Sequence, residues 1–170
     1  MSNREYFSQD IYDFLLLLTN YEVRYLIVGG EAVIYYGYAR LTGAIDIFYD
    51  LSEDNIDKLY SVLEKFWDND IPGIEGKDEL AKSGYVFQFG LPPNRIDLIN
   101  KIEGIDFNKA WPNRKDEIIT YQNKEFEIHY IGLNDLIINK RATGRYKDKD
   151  DLKFLKGMVK KTNGKDRGKG

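Results

Sequence analysis

The sequence predicts an α/β (α+β) fold: a mixed sheet flanked by helices, with a helical C-terminal extension. Three patterns carry that expectation. Segments of helical and strand period alternate over the first third of the chain, two β-rich runs then follow each other across a short Gly- and Pro-bearing connection, and the last segments return to helical period. With 170 residues, 42% hydrophobic and 14% aromatic, the chain has the size of one domain and the material for a full core. We expect a single domain over residues 1–160, with an N-terminal helix at 6–20, a core at 23–130 and C-terminal helices at 132–160. Residues 161–170, which offer nothing apolar to bury, are expected to form a basic disordered tail.

Each element has its own signature. Phe7, Ile11, Phe14, Leu15 and Leu18 recur at helical spacing. Residues 23–28 read as a buried strand stopped by Gly29-Gly30, and residues 31–38 as a helix. In the strand at 45–50, Ile45, Ile47 and Tyr49 are expected on one face and Ala44, Asp46, Phe48 and Asp50 on a polar one. Ser52 reads as the N-cap of a helix to about residue 67, whose apolar positions are Ile56, Leu59, Tyr60, Leu63 and Phe66. Residues 68–84 read as a loop, 85–89 and 95–99 as a hairpin, and Phe126, Ile128 and Tyr130 as the apolar side of a further strand. Helices at 133–142 and 148–159 flank a break at Gly144, which suits a left-handed helix terminus.

Composition removes several function classes. The absence of cysteine excludes disulfides, thiol nucleophiles and cysteine-ligated metals. One histidine, His129, excludes multi-histidine metal sites, and it is expected to face water. The longest apolar stretch near the N-terminus is far below the ~20 residues of a membrane span, and no signal peptide is visible, so a soluble, cytoplasmic domain with no membrane partner is expected. The net charge of -3 argues against a globally basic nucleic-acid coat protein. It conceals an asymmetry: residues 140–170 carry 12 Lys and Arg against 4 Asp (+8), and residues 1–139 carry 13 basic and 24 acidic side chains (-11). The basic end could meet an anion, or be a solvated helix.

Three groups of residues could carry chemistry. Asp46 and Asp97 lie on two strands, and converging carboxylates on rigid strands are what metal-assisted phosphoryl transfer requires. Spacing alone does not separate them from ordinary solvent-facing aspartates. The residue two before Asp46 is Ala44, which cannot bind a cation. Gly29 and Gly30 form a strand-to-helix turn that would admit a phosphate, or simply a tight turn. Lys140, Arg141 and Arg145 around Gly144 could grip a triphosphate or an RNA backbone, or serve as a helix C-terminus. Tyr35, Tyr36, Tyr38 and Tyr49 could stack a base or fill the core.

Taken together, Tyr25-Leu26-Ile27-Val28-Gly29-Gly30-Glu31-Ala32, Gly37-Tyr38-Ala39-Arg40-Leu41-Thr42-Gly43-Ala44-Ile45-Asp46, Arg95-Ile96-Asp97-Leu98 and Asn139-Lys140-Arg141-Ala142-Thr143-Gly144-Arg145, with Asp148 and Asp151, resemble a minimal nucleotidyltransferase of the DNA polymerase beta-like superfamily. The branch most similar holds the abortive-infection and type IV toxin–antitoxin toxins. The resemblance implies the polymerase beta-like fold, with Gly29 and Gly30 at the triphosphate and the position of Ala44 with Asp46 and Asp97 as the carboxylate triad for Mg²⁺ (or Mn²⁺). It also implies Lys140 and Arg145 as phosphate neutralisers, oriented by Asp148 or Asp151. Near a helix end, the charge of Lys140 is expected to cost little in folding. The implied reaction moves a nucleoside monophosphate from an NTP to a hydroxyl of RNA (tRNA in particular), of protein or of a small molecule such as an antibiotic. The implied setting is a toxin–antitoxin or phage-defence pair with a cognate antitoxin. The family pattern has Asp where Ala44 stands. The departure predicts impaired or absent catalysis, arising by an inactivating substitution or in a natural pseudoenzyme that binds nucleotide or RNA.

Overall fold

Where helical and strand period alternate, the chain forms α1 (Gln9–Asn20), β1 (Tyr25–Val28), α2 (Gly29–Tyr35), β2 (Ala44–Tyr49) and α3 (Glu53–Phe66). A 3-10 turn at Lys77–Ala81 leads to a hairpin of β3 (Val86–Phe89) and β4 (Arg95–Ile99). Then come α4 (Phe107–Ala110), a second hairpin of β5 (Lys115–Tyr121) and β6 (Lys124–Tyr130), and the closing helices α5 (Leu133–Thr143) and α6 (Tyr146–Arg167). The computed structural model describes residues 5–167, with side chains as far as residue 161.

The six strands form one mixed sheet in the order β3-β4-β2-β1-β6-β5. β1 runs antiparallel to β2 and parallel to β6, and β2 is parallel to β4. Helices α1 and α3 pack on each other, and α2 packs on β1 and β2. Ile11, Phe14, Leu15 and Leu18 of α1 are buried, as their spacing predicts. All of β1 is buried, since a strand covered on both faces reads as a continuous apolar run. The same cover overturns the polar face expected for β2. Ala44, Phe48 and Asp50 are buried, and only Asp46 keeps partial exposure within the strand.

Other expectations are also corrected. β5 was not predicted, because an exposed edge strand with a charged start has no apolar period to read. Its pairing with β6 is set by the turn at Gln122 and Asn123, both at positive φ (50° and 63°), as two-residue hairpin loops require. Ser52 makes no cap bond, and its hydroxyl donates to Asp50 instead. The buried Asn55 does the stapling: its amide donates to the carbonyls of Arg24 and Asp50 and accepts from the Arg24 N–H. The backbone of residues 161–167 is helical, a continuation of α6 into the segment expected to be disordered. Residues 168–170 of that segment lie outside the described residues. Among the described residues, no helix is long and apolar enough to cross a membrane.

Candidate active site

The parallel pairing of β2 and β4 sets Asp46 opposite Asp97 and, one pleat earlier, Ala44 opposite Arg95. Residues two apart on a strand share a face, so these four form a two-by-two patch. Within it the Arg95 guanidinium makes a fork onto Asp97, with Nε 2.7 Å from Oδ1 and Nη2 2.9 Å from Oδ2. Asp97 is buried, whereas the Arg95 side chain is 30% exposed.

On the other side of β2, Val28 pairs with Asp46, and the chain turns at Gly29 directly over that carboxylate. Gly29 has φ +65°, and a Cβ there would overlap the Asp46 carboxylate. Glycine is thus required twice, for the left-handed backbone and for the close approach. A Cβ on Gly30 would lie 2.6 Å from Thr42 Oγ1. The two glycines therefore pack the first turn of α2 onto β2 and the loop before it.

Lys140 reaches the same cleft from α5. Its Nζ sits 3.0 Å from Asp148 Oδ1 and 3.1 Å from Asp151 Oδ2, and all three side chains are buried. Asp148 also accepts from Thr143 Oγ1 (2.7 Å), the Arg145 N–H (3.2 Å) and Arg145 Nε (2.8 Å). Asp151 is held in turn by Arg40, whose Nη2 lies 3.1 Å away. The expectation that the Lys140 charge costs little is overturned by this burial, because an ammonium shielded from water depends on the aspartates around it. Arg145 is the solvent-facing member, with its side chain 71% exposed. Gly144 ends α5 at φ 64°, its N–H directed to the Lys140 carbonyl.

The electrostatics of the two clusters diverge. Burial, then repulsion from Asp97 and the hydrogen bond shared with it, push the Asp46 carboxyl up to about 7, against the opposing pull of Lys140 and Arg95. Burial would also raise Asp148. Hydrogen bonds from Arg145, Thr143 and Lys140 outweigh it and hold that carboxyl well below the usual range.

Between the clusters opens a cleft of about 620 Å³, lined among others by Val28, Gly29, Asp46, Lys101, Asn139, Lys140 and Arg145. That volume suits a small-molecule site. Gly29, Asp46, Lys140 and Arg145 line it directly, whereas Gly30, Ala44, Asp97 and Asp148 are not among its lining residues. A hard divalent cation such as Mg²⁺ or Mn²⁺ takes oxygen ligands. Asp46 and Asp97 fit one by that chemistry, as two carboxylates set in register on neighbouring strands.

The tyrosines go to packing. Tyr35 stacks on Tyr130, Tyr38 on Phe154, Tyr36 donates to the Ile131 carbonyl and Tyr49 to that of Leu80. His129 is half-buried against Trp111 and lies 2.5 Å from Asp116. With Glu127 these two could hold a metal, but Arg114 already donates to the same Asp116 oxygen at 3.0 Å. Arg95 and Arg40 stand in the motifs of the sequence reading without a role of their own. Arg95 was detectable, being two before Asp97 on one strand face. Arg40 was not, since its partner Asp151 is 111 positions away.

A family model described as nucleotidyltransferase of unknown function (DUF6036) matches residues 9–162. No curated protein matches the chain.

Proposed function

The chain belongs to this nucleotidyltransferase family, and on that premise we propose that it moves a nucleoside monophosphate from an NTP to a hydroxyl acceptor at the cleft around Asp46 and Asp97. The observation that carries the reading is the β2–β4 register, which sets Asp97 beside Asp46, the carboxylate that lies beneath Gly29 and lines a cleft with Lys101, Lys140 and Arg145. The acceptor oxygen bonds to the α-phosphorus, the bond from that phosphorus to the bridging oxygen breaks, and pyrophosphate leaves with the electron pair. A carboxylate of the pair takes the hydroxyl proton. Exposed Arg145 meets the phosphates, and Lys140, largely buried in the cleft wall, adds positive charge there. Asp46 and Asp97 would hold Mg²⁺ or Mn²⁺, which when bound supplies charge stabilisation on the phosphate oxygens.

The charge of +8 over residues 140–170 supports an RNA acceptor, tRNA among them, over a protein. The toxin role in the cytoplasm, restrained by an antitoxin, rests on the sequence resemblance. Ala44 supports a second reading, an impaired or dead enzyme that binds nucleotide or RNA, because the patch holds two carboxylates where the resemblance calls for three.

Labelled-NTP transfer to total RNA and total protein tests both. Ala44→Asp should raise transfer by about a hundredfold or more, equivalent to ~3 kcal/mol of barrier. No transfer from either form, with nucleotide still bound, would leave the regulator.

A further inference from the structure

The Arg95 fork has no place among the residues that the nucleotidyl-transfer reading uses. Its two bonds take up both oxygens of Asp97, each through a different nitrogen, and its position in register is beside Ala44. The methyl side chain of Ala44 offers no hydrogen-bond acceptor. A carboxylate at that place would be a rival for the guanidinium, whereas with alanine there the fork is made to Asp97, two residues along Arg95's own strand. A forked arginine–carboxylate pair is directional and among the stronger hydrogen-bonded arrangements in proteins. A divalent ion takes carboxylate oxygens as ligands, and at oxygens already forked by a guanidinium it meets a like charge.

We propose that Arg95 is a resident counter-cation of the Asp46–Asp97 pair, competing with a divalent ion for Asp97 and thereby setting the metal affinity of the site. This rests on the reading of the pair as a metal site, and it goes beyond that reading by giving a non-ligand the control of occupancy. In the metal-free protein, Arg95 neutralises the buried Asp97. On metal binding the fork opens, and the guanidinium, already 30% exposed, turns outward to water. The small side chain of Ala44 favours the closed fork. A third carboxylate at that position would shift Arg95 away from Asp97 and favour the ion twice, as an added ligand and by drawing off the competitor.

Calorimetric titration with Mn²⁺ alone, without nucleotide, reads this directly. Arg95→Gln keeps a hydrogen-bonding side chain but removes the charge, and it should bind Mn²⁺ at least tenfold tighter than the parent chain. Arg95→Lys, which keeps the charge but loses the fork, should fall between. Metal-free melting should be lower for Arg95→Gln than for the parent, with Mn²⁺ restoring more of it. Adding Asp46→Asn to Arg95→Gln should abolish the gain, tying it to this pair. Equal or weaker Mn²⁺ binding by a folded Arg95→Gln chain would overturn the proposal, as would the absence of Mn²⁺ binding in both forms. Failure of the nucleotidyl-transfer reading is distinguishable, since it shows in the labelled-NTP assay and not in this titration.

Discussion

At the β2–β4 end of the cleft, two neighbouring carboxylates share a single guanidinium, which forks onto Asp97. At the α5–α6 end, two carboxylates are bridged by the Lys140 ammonium and flanked by Arg40 and Arg145. Both ends are withdrawn from water, and yet the acids respond in opposite directions, with Asp46 pushed up and Asp148 held down. Burial penalises every charged carboxylate. What separates the two ends is the supply of counter-charge and donors. The α5–α6 cluster is complete in itself and locks the two helices together with the loop before β2. At the β2–β4 end, burial and the neighbouring Asp97 outweigh the pull of Lys140 and Arg95 on Asp46, a balance that an added cation would relieve.

The contrast can be broken most severely at its complete end. Lys140→Ala strips the shared cation from two buried aspartates, and chemical denaturation should show a loss of about 3–5 kcal/mol. A loss under ~1 kcal/mol would mean that water reaches the cluster and that Lys140 is a surface residue in energetic terms. Next in size is Gly29→Ala, which forces an L-residue into φ +65° and drives its methyl into the Asp46 carboxylate. A cost of about 1–3 kcal/mol is expected, together with weakened nucleotide binding, and an unchanged melting temperature would show the turn to be deformable.

The pH dependence sharpens the comparison further. The Asp148 carboxyl is depressed, so its contribution is present above the unfolded value of about 4 and is lost as pH falls through the folded one. Stability should therefore drop in acid below about pH 4. Asp148→Asn, already without that contribution, should give a shallower acid limb, and identical limbs would remove Asp148 as the source. The smallest effect is at the other end. Asp46→Asn relieves repulsion between directly opposed like charges and should stabilise the metal-free protein, by up to about 1 kcal/mol. Destabilisation there would mean that the pair is already compensated.

Much of the fold was legible because it depends on local period. The helical spacing of α1, the apolar run of β1 and the Gly144 terminus of α5 each report a backbone state set within a few residues. β5 escaped because an edge strand exposed over most of its length needs no apolar period, and its place comes from a turn and a partner strand. The polar face expected for β2 failed for a related reason. Alternation predicts which side chains share a face, and Asp46 and Ala44 do share one. Whether that face meets water depends on what covers it.

The sequence by itself determined the mixed α/β architecture, the order of the glycine turn, the two aspartates and the basic helix ends, and the alanine where a third carboxylate is expected. These are properties of single residues and short spacings. Only the tertiary structure decided that Lys140 is buried between two aspartates, that Arg40 reaches Asp151, and that Arg95 rather than a third acid stands beside the carboxylate pair. The reason is physical. The charge state and availability of an ionisable group are set by its desolvation and by the groups within hydrogen-bond reach, and the groups that matter come together only when strands and helices far apart in the chain are packed.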